Sequence, residues 1–269
     1  MAMVETPVCS KAFGGAAEPL GFDFQIKGST TPHVILRLEQ NKKFIAQSGT
    51  MMKKTTPVTM EMTFGNGAEQ GLAGKLWSAA KRKVSGDDFL TQLFTNTAST
   101  PQEIVLAAPH PGEILAINLH EFAGEIYCQR SAFLAGPGGT EVAPKFRQKL
   151  GFALFGREEF VMQKISGDDF VFLNAGGGVH VDDLAEGEEI QIDTGCLIAT
   201  TTNVTTSITK AGSWGSALLG DEGFFLVNCK GPGRVWMQSM PFSREVKAFT
   251  DEQNRQSAIK GSTIGANPK

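Results

Sequence analysis

The chain has no apolar run approaching the roughly 18–20 residues of a membrane-spanning helix. No block of like charge exceeds three residues, and 25 Lys and Arg face 28 Asp and Glu. A net charge of −3 excludes a strongly basic nucleic-acid binder on electrostatic grounds. Cysteine is scarce. Cys9, Cys128, Cys196 and Cys229 are widely spread and form no CxxC, so neither a zinc site nor a dense disulfide framework is expected. The start, Met-Ala-Met-Val-Glu-Thr-Pro-Val-Cys9, has no basic segment and no apolar segment, and an Arg-rich transit peptide is also missing. The expectation is a soluble, cytoplasmic protein with reduced thiols.

Catalytic signatures are equally scarce. GxSxG and GxxxxGK[ST] do not occur, and Gly176-Gly-Gly178 opens a predicted strand and not the helix of a dinucleotide loop. The histidines are His33, His110, His120 and His180. His180-Val-Asp182 fits half of a two-His-one-carboxylate site, but no second His follows it. His120-Glu121 lacks the second His of HExxH. Asp87-Asp88 and Asp168-Asp169 both follow Ser-Gly and read as turn chemistry, not as an acid/base pair. No catalytic residue, cofactor site or metal site is expected.

What is abundant is glycine, with 31 residues, and 41% of the chain is hydrophobic. A real core is therefore affordable and general disorder is excluded. The glycines mark a repeat. Lys43-Phe-Ile-Ala-Gln-Ser-Gly49-Thr-Met-Met52 aligns with Glu125-Ile-Tyr-Cys-Gln-Arg-Ser131-Ala-Phe-Leu134 and with Glu189-Ile-Gln-Ile-Asp-Thr-Gly195-Cys-Leu-Ile198. Ser131 and Gly195 stand 64 apart, as do Gly151 and Gly215, Gly156 and Gly220, and Gly167 and Gly231. This is a gap-free duplication. The first copy is looser, with 12 extra residues between Gly49 and Gly86. They fall around 71–84, where Leu72, Leu76 and Ala80 share one helical face, which predicts a short inserted helix. The Lys81-Arg-Lys83 run suits its C-terminal turn.

Elsewhere short apolar runs alternate with turn signals such as Pro111-Gly112, Glu186-Gly187 and Gly231-Pro-Gly233. The fold class is therefore all-β: internally repeated antiparallel units, sandwich- or barrel-like, with one helix in the first unit. The expected organisation is a flexible arm over 1–20 and a single body over 21–245. Its repeats span about 21–108, 109–174 and 175–245, arranged with pseudo-threefold symmetry or as three sheets side by side. A polar tail, a short helix or disordered, covers 246–269.

The strings Gly49-Thr-Met-Met52, Gln129-Arg-Ser-Ala-Phe-Leu-Ala135, Gly156-Arg-Glu-Glu-Phe160, Asp193-Thr-Gly195 and Gly231-Pro-Gly-Arg-Val-Trp-Met-Gln-Ser239 resemble the altered-inheritance-of-mitochondria (mitochondrial biogenesis) family. The resemblance runs from about Phe22 to Pro241. It implies a fold like the tryptophan RNA-binding attenuator protein, duplicated within one chain, and homotrimers or higher rings. It also implies a mitochondrial, membrane-associated location as the alternative to the cytoplasm, in support of membrane-associated complexes. It carries no catalytic residues. Where the family has a denser glycine run, this chain has Gly65-Asn-Gly67-Ala-Glu-Gln-Gly71.

Two sets of residues stand out as candidates. Phe152, Leu154 and Phe155, with Leu218 and Leu219, sit between glycines and before acidic turns, and Trp77 lies on the inserted helix. They are the candidate interface toward a neighbouring subunit or a membrane surface. Arg234 and Trp236 share one face of a predicted strand and form a candidate ligand face, with a purely structural stack as the competing reading. The expected function is a non-enzymatic oligomeric scaffold or binding protein whose partner is itself. A nucleic-acid-binding module by fold analogy, and a small-molecule or metal-dependent β-barrel enzyme, are the alternatives.

Overall fold

The computed structural model describes residues 22–64, 90–149, 159–211 and 224–264. Nineteen strands lie among the described residues. The first repeat holds β1 (Phe22–Lys27), β2 (His33–Leu38), β3 (Lys43–Gln47), β4 (Met51–Lys54), β5 (Val58–Phe64), β6 (Leu90–Asn96) and β7 (Gln102–Ala107). The second holds β8 (Gly112–Asn118), β9 (Glu125–Gln129), β10 (Phe133–Pro137), β11 (Glu141–Lys149), β12 (Glu159–Ser166) and β13 (Phe170–Gly176). The third holds β14 (Val179–Leu184), β15 (Glu189–Asp193), β16 (Leu197–Thr201), β17 (Thr205–Ala211), β18 (Phe224–Lys230) and β19 (Gly233–Gln238). A 23-residue helix, α1 (Phe242–Ile264), follows. β9 and β15 have bounds 64 residues apart, and so do β10 and β16. The duplication in the sequence is thus a duplication of strands.

The repeats do not form separate sheets. β5-β6-β3 of the first repeat continue directly into β10-β13-β8 of the second, giving one six-stranded sheet. β11-β12-β9 of the second continue into β16-β19-β14 of the third, giving another. The joints are antiparallel pairs: Ala46 opposite Ala135 in β3–β10, and Cys128 opposite Ala199 in β9–β16. Two half-sheets remain, β1-β2-β7-β4 at one end and β15-β18-β17 at the other. Each repeat is a sandwich between two consecutive sheets, and no barrel closes.

The packing follows the same order. The first core joins Phe24, Leu36 and Leu106 of the first half-sheet to Phe44, Phe94 and Phe172. The second joins Ile45, Val171 and Leu173 to Ile126, Ile165 and Trp236. The third joins Phe160, Leu197 and Val235 to Ile192, Val227 and Cys229. β13 is buried on both faces because Phe172 points into the first core while Val171 and Leu173 point into the second. This explains its continuous apolar run, where a half-exposed strand would alternate.

Two backbone devices recur in every repeat. The turn before β3, β9 and β15 places Asn41, Ala123 and Gly187 at φ of 61°, 55° and 78°. A bulge recurs opposite the last strand of each repeat, between Met51 and Lys53, Phe133 and Ala135, and Leu197 and Ala199. The bulge adds one residue and bends the strand where it passes from its own repeat to the neighbour's.

The inserted helix expected around 71–84 lies outside the described residues. The C-terminal helix starts at Phe242, upstream of the tail expected from 246. It is anchored by backbone pairing of Ser239 and Met240 to Gly178 and Gly176. An added Cβ on Gly176 would stand 2.0 Å from the Met240 carbonyl oxygen, so only glycine permits this approach.

Candidate functional site

Arg234 and Trp236 lie on β19, as expected, and the structure brings Phe122 between them. Phe122 ends a short 3-10 turn, Leu119–Phe122, whose start is capped by the Asn118 side chain accepting from the His120 amide. The Trp236 ring meets Phe122 edge-on at 5.4 Å and 84°, and the Arg234 guanidinium lies 5.9 Å from the same ring. Trp236 is buried. Arg234 also donates two parallel hydrogen bonds to Asp183, opposite it in the β14–β19 ladder, at 2.6 and 2.8 Å. These bonds hold the Asp183 carboxyl below its usual range and the guanidinium above its own. Both ends of the Arg234 side chain are therefore engaged within the chain. No sequence signal pointed to Phe122, because nothing local links the second repeat's turn to the third repeat's strand.

The candidate interface residues Trp77, Phe152, Leu154, Phe155, Leu218 and Leu219 lie outside the described residues.

The remaining polar groups form small structural pairs. His180 and Asp182 approach to 3.1 Å on β14. Among the described residues, no group of three or more His, Cys, Asp and Glu is placed to hold a metal ion. The thiols of Cys128 and Cys229 are pushed up to about 12 and about 11 by burial. Such thiols are protonated and unreactive at neutral pH. Asp169 accepts a hydrogen bond from the Phe170 amide at 2.7 Å, in keeping with a turn role.

A second cluster was not legible in the sequence. His110, in the turn before β8, stacks on Phe242 at 5.0 Å and 22°. Its Nε2 lies 3.0 Å from the Asn174 side-chain nitrogen. Desolvation by burial lowers its pKa, opposed by the nearby Glu245 carboxylate and by a hydrogen bond that the imidazole donates to the Pro109 carbonyl. Arg244 donates to Asp193 at 3.0 Å, tying the first turn of α1 to β15. Beyond this base, Phe242, Val246 and Phe249 are exposed at helical spacing. No helix among the described residues is long and apolar enough to cross a membrane.

Similarity to known proteins follows this architecture. A crystal structure of protein SPYM3_0169 from Streptococcus pyogenes matches with a TM-score of 0.66 at 21% identity, covering 86% of this chain and 99% of that one. At that identity the likeness speaks for the fold alone. No curated protein matches the chain. The family described as Mitochondrial biogenesis AIM24 matches residues 24–240, from the first strand to the foot of α1, and the chain belongs to that family.

Proposed function

We propose that the protein is a non-enzymatic scaffold or binding protein that assembles with itself. The observation that carries this reading is the array: sheets run from one repeat into the next, and a half-sheet is left at each end. Two features add support. The Arg234 side chain is engaged within the chain by Asp183 and Phe122, and burial keeps the Cys128 and Cys229 thiols protonated. Exposed apolar side chains stand at the array's end and on the protruding helix, at Met52, Phe242, Val246 and Phe249. These are positions for protein contacts.

The attenuator-like assignment of the fold, and a homotrimer or higher ring, belong to the same proposal. A role beside membrane-associated complexes, with a mitochondrial link, takes its support from the family's description. Light scattering over a wide concentration range tests the core of the reading. Assemblies larger than one chain are expected; a strict monomer throughout overturns self-assembly.

A further inference from the structure

The two strands that edge the half-sheets are the ones that lie at sheet centres elsewhere. In both complete sheets the second strand of one repeat's core set (β3 or β9) pairs with the third strand of the next repeat (β10 or β16). The third repeat's counterpart, β15, pairs only with β18 among the described residues. The first repeat's counterpart, β4, pairs only with β7 among the described residues. We infer that β15 of one copy adds antiparallel to β4 of a second copy, making a third joint, this one between chains and within a seven-stranded sheet. This rests on the self-assembly reading and specifies its surface.

The repeat fixes the register. Moving the β9–β16 pairing one repeat onward sets Ile192 opposite Lys53, Gln191 opposite Lys54 and Ile190 opposite Thr55. Three observations favour this contact. Met52 stands where the completed joints carry Leu134 and Ile198. Those two are 0% and 1% exposed, whereas Met52 is 65% exposed. Leu134 and Ile198 each lie in a core covered by the preceding sheet, and Met52 stands on the outer face of the first sheet; joining the chains lays the partner's second six-stranded sheet over that face.

Charge supplies the second observation. β4 ends in Lys53-Lys54, and β15 is Glu189-Ile-Gln-Ile-Asp193. In the inferred register Lys54, which donates to the Val58 carbonyl in the single chain, faces Gln191 and lies diagonal to Glu189 and Asp193, so it would join the existing Lys230–Glu189 and Arg244–Asp193 pairs. The third observation is selectivity. β15 against β15 in full antiparallel overlap would oppose Glu189 to Asp193, so the acidic edge disfavours pairing with its own copy. The head-to-tail contact sets a basic edge against an acidic one, and such a contact either closes into a ring or runs open.

The third joint is more polar than the other two. Lys53, paired at present with Glu103 at 2.7 Å, occupies the slot of the buried Ala135 and Ala199. The contact is therefore reversible and weakened by salt.

Directly opposed residues in an antiparallel pair have Cα atoms about 4.5–5.5 Å apart, within disulfide reach. Two single variants, Lys54→Cys and Gln191→Cys, are mixed and oxidised mildly, each variant alone serving as control for the native thiols. A covalent dimer formed only in the mixture is expected. No such dimer from folded proteins overturns the inference. So does a Lys54→Cys/Gln191→Cys double variant that cross-links only within one chain.

Met52→Asp provides a second route. It is expected to keep the unmodified protein's melting temperature while weakening assembly by about tenfold or more. Unchanged assembly overturns the assignment. Light scattering on the unmodified protein separates the two levels. Assemblies without the cross-link leave self-assembly standing and remove this edge; a monomer removes both.

Discussion

The completed joints and the open edges of this protein use the same strands in the same order, yet their side chains differ. β10 and β16 start with apolar residues and are buried over all but Pro137, whereas β4 has no buried residue and ends in two lysines. Strand geometry is thus set by the repeat, and burial by whether a neighbour is present. A strand that is central in a sheet can be apolar because both its edges are paired. A strand left at an edge needs charge to remain soluble and selective.

The largest expected effect contrasts equivalent positions. Leu134→Ala or Ile198→Ala is expected to cost about 2–5 kcal/mol by leaving a cavity in a closed core. Met52→Ala is expected to change the isolated chain by within about 0.5 kcal/mol, as for other exposed sites. Denaturant melts of all three at low protein concentration check this. Equal losses would show that the edge is already covered.

The shared left-handed turn gives a smaller effect whose sign depends on the repeat. Ala123 pays the strain that Gly187 avoids, and a Cβ on Gly187 would meet no atom within 4 Å. Gly187→Ala is expected to lose about 1 kcal/mol and Ala123→Gly to gain about 0.5–1 kcal/mol. Thermal unfolding of both variants reads the pair, and a gain in neither direction would mean that the turn relaxes.

On the surface of the last complete sheet the ion pair matters less. Asp183→Asn is expected to cost under about 1 kcal/mol, because solvent screens the pair. Asp183 has a lowered folded pKa, so its contribution is present above the unfolded carboxylate value. It is lost as pH falls through the folded value, in a window below about pH 4. A urea titration at pH 3 and pH 7, with and without the substitution, isolates it.

The smallest effect concerns the foot of α1. His110 is held neutral by burial, so its pKa is lowered. The unfolded state then binds more protons below about pH 6.5. Docking of α1 is expected to weaken as pH falls from about 6.5 through the folded value, and to be insensitive well above about 6.5. Hydrogen exchange of the first turn of α1 against pH reads this. His110→Phe is expected to remove the dependence while keeping the ring stack on Phe242.

The strands were legible because their apolar runs and turn glycines are local. Phe170–Leu173 and Arg234–Gln238 fall inside β13 and β19. The repeat was legible because it is gap-free between its second and third copies. The common turn slot was not, because Asn41, Ala123 and Gly187 share no residue type and only the backbone angle unites them. The continuation of sheets across repeats was also hidden. Ala46 and Ala135 are distant in sequence, and their pairing leaves no local pattern. Of the candidate site, the shared face of Arg234 and Trp236 followed from the two-residue period of a strand. Phe122 and Asp183 did not, since they arrive from other elements.

The sequence by itself determined an all-β chain of three related units, because hydrophobic periodicity and glycine placement act over a few residues. The tertiary structure alone decided which unit pairs with which. Hydrogen bonds between β3 and β10, and between β9 and β16, are chosen by long-range packing. That choice merges neighbouring units into shared sheets and leaves β4 and β15 as the edges of the array.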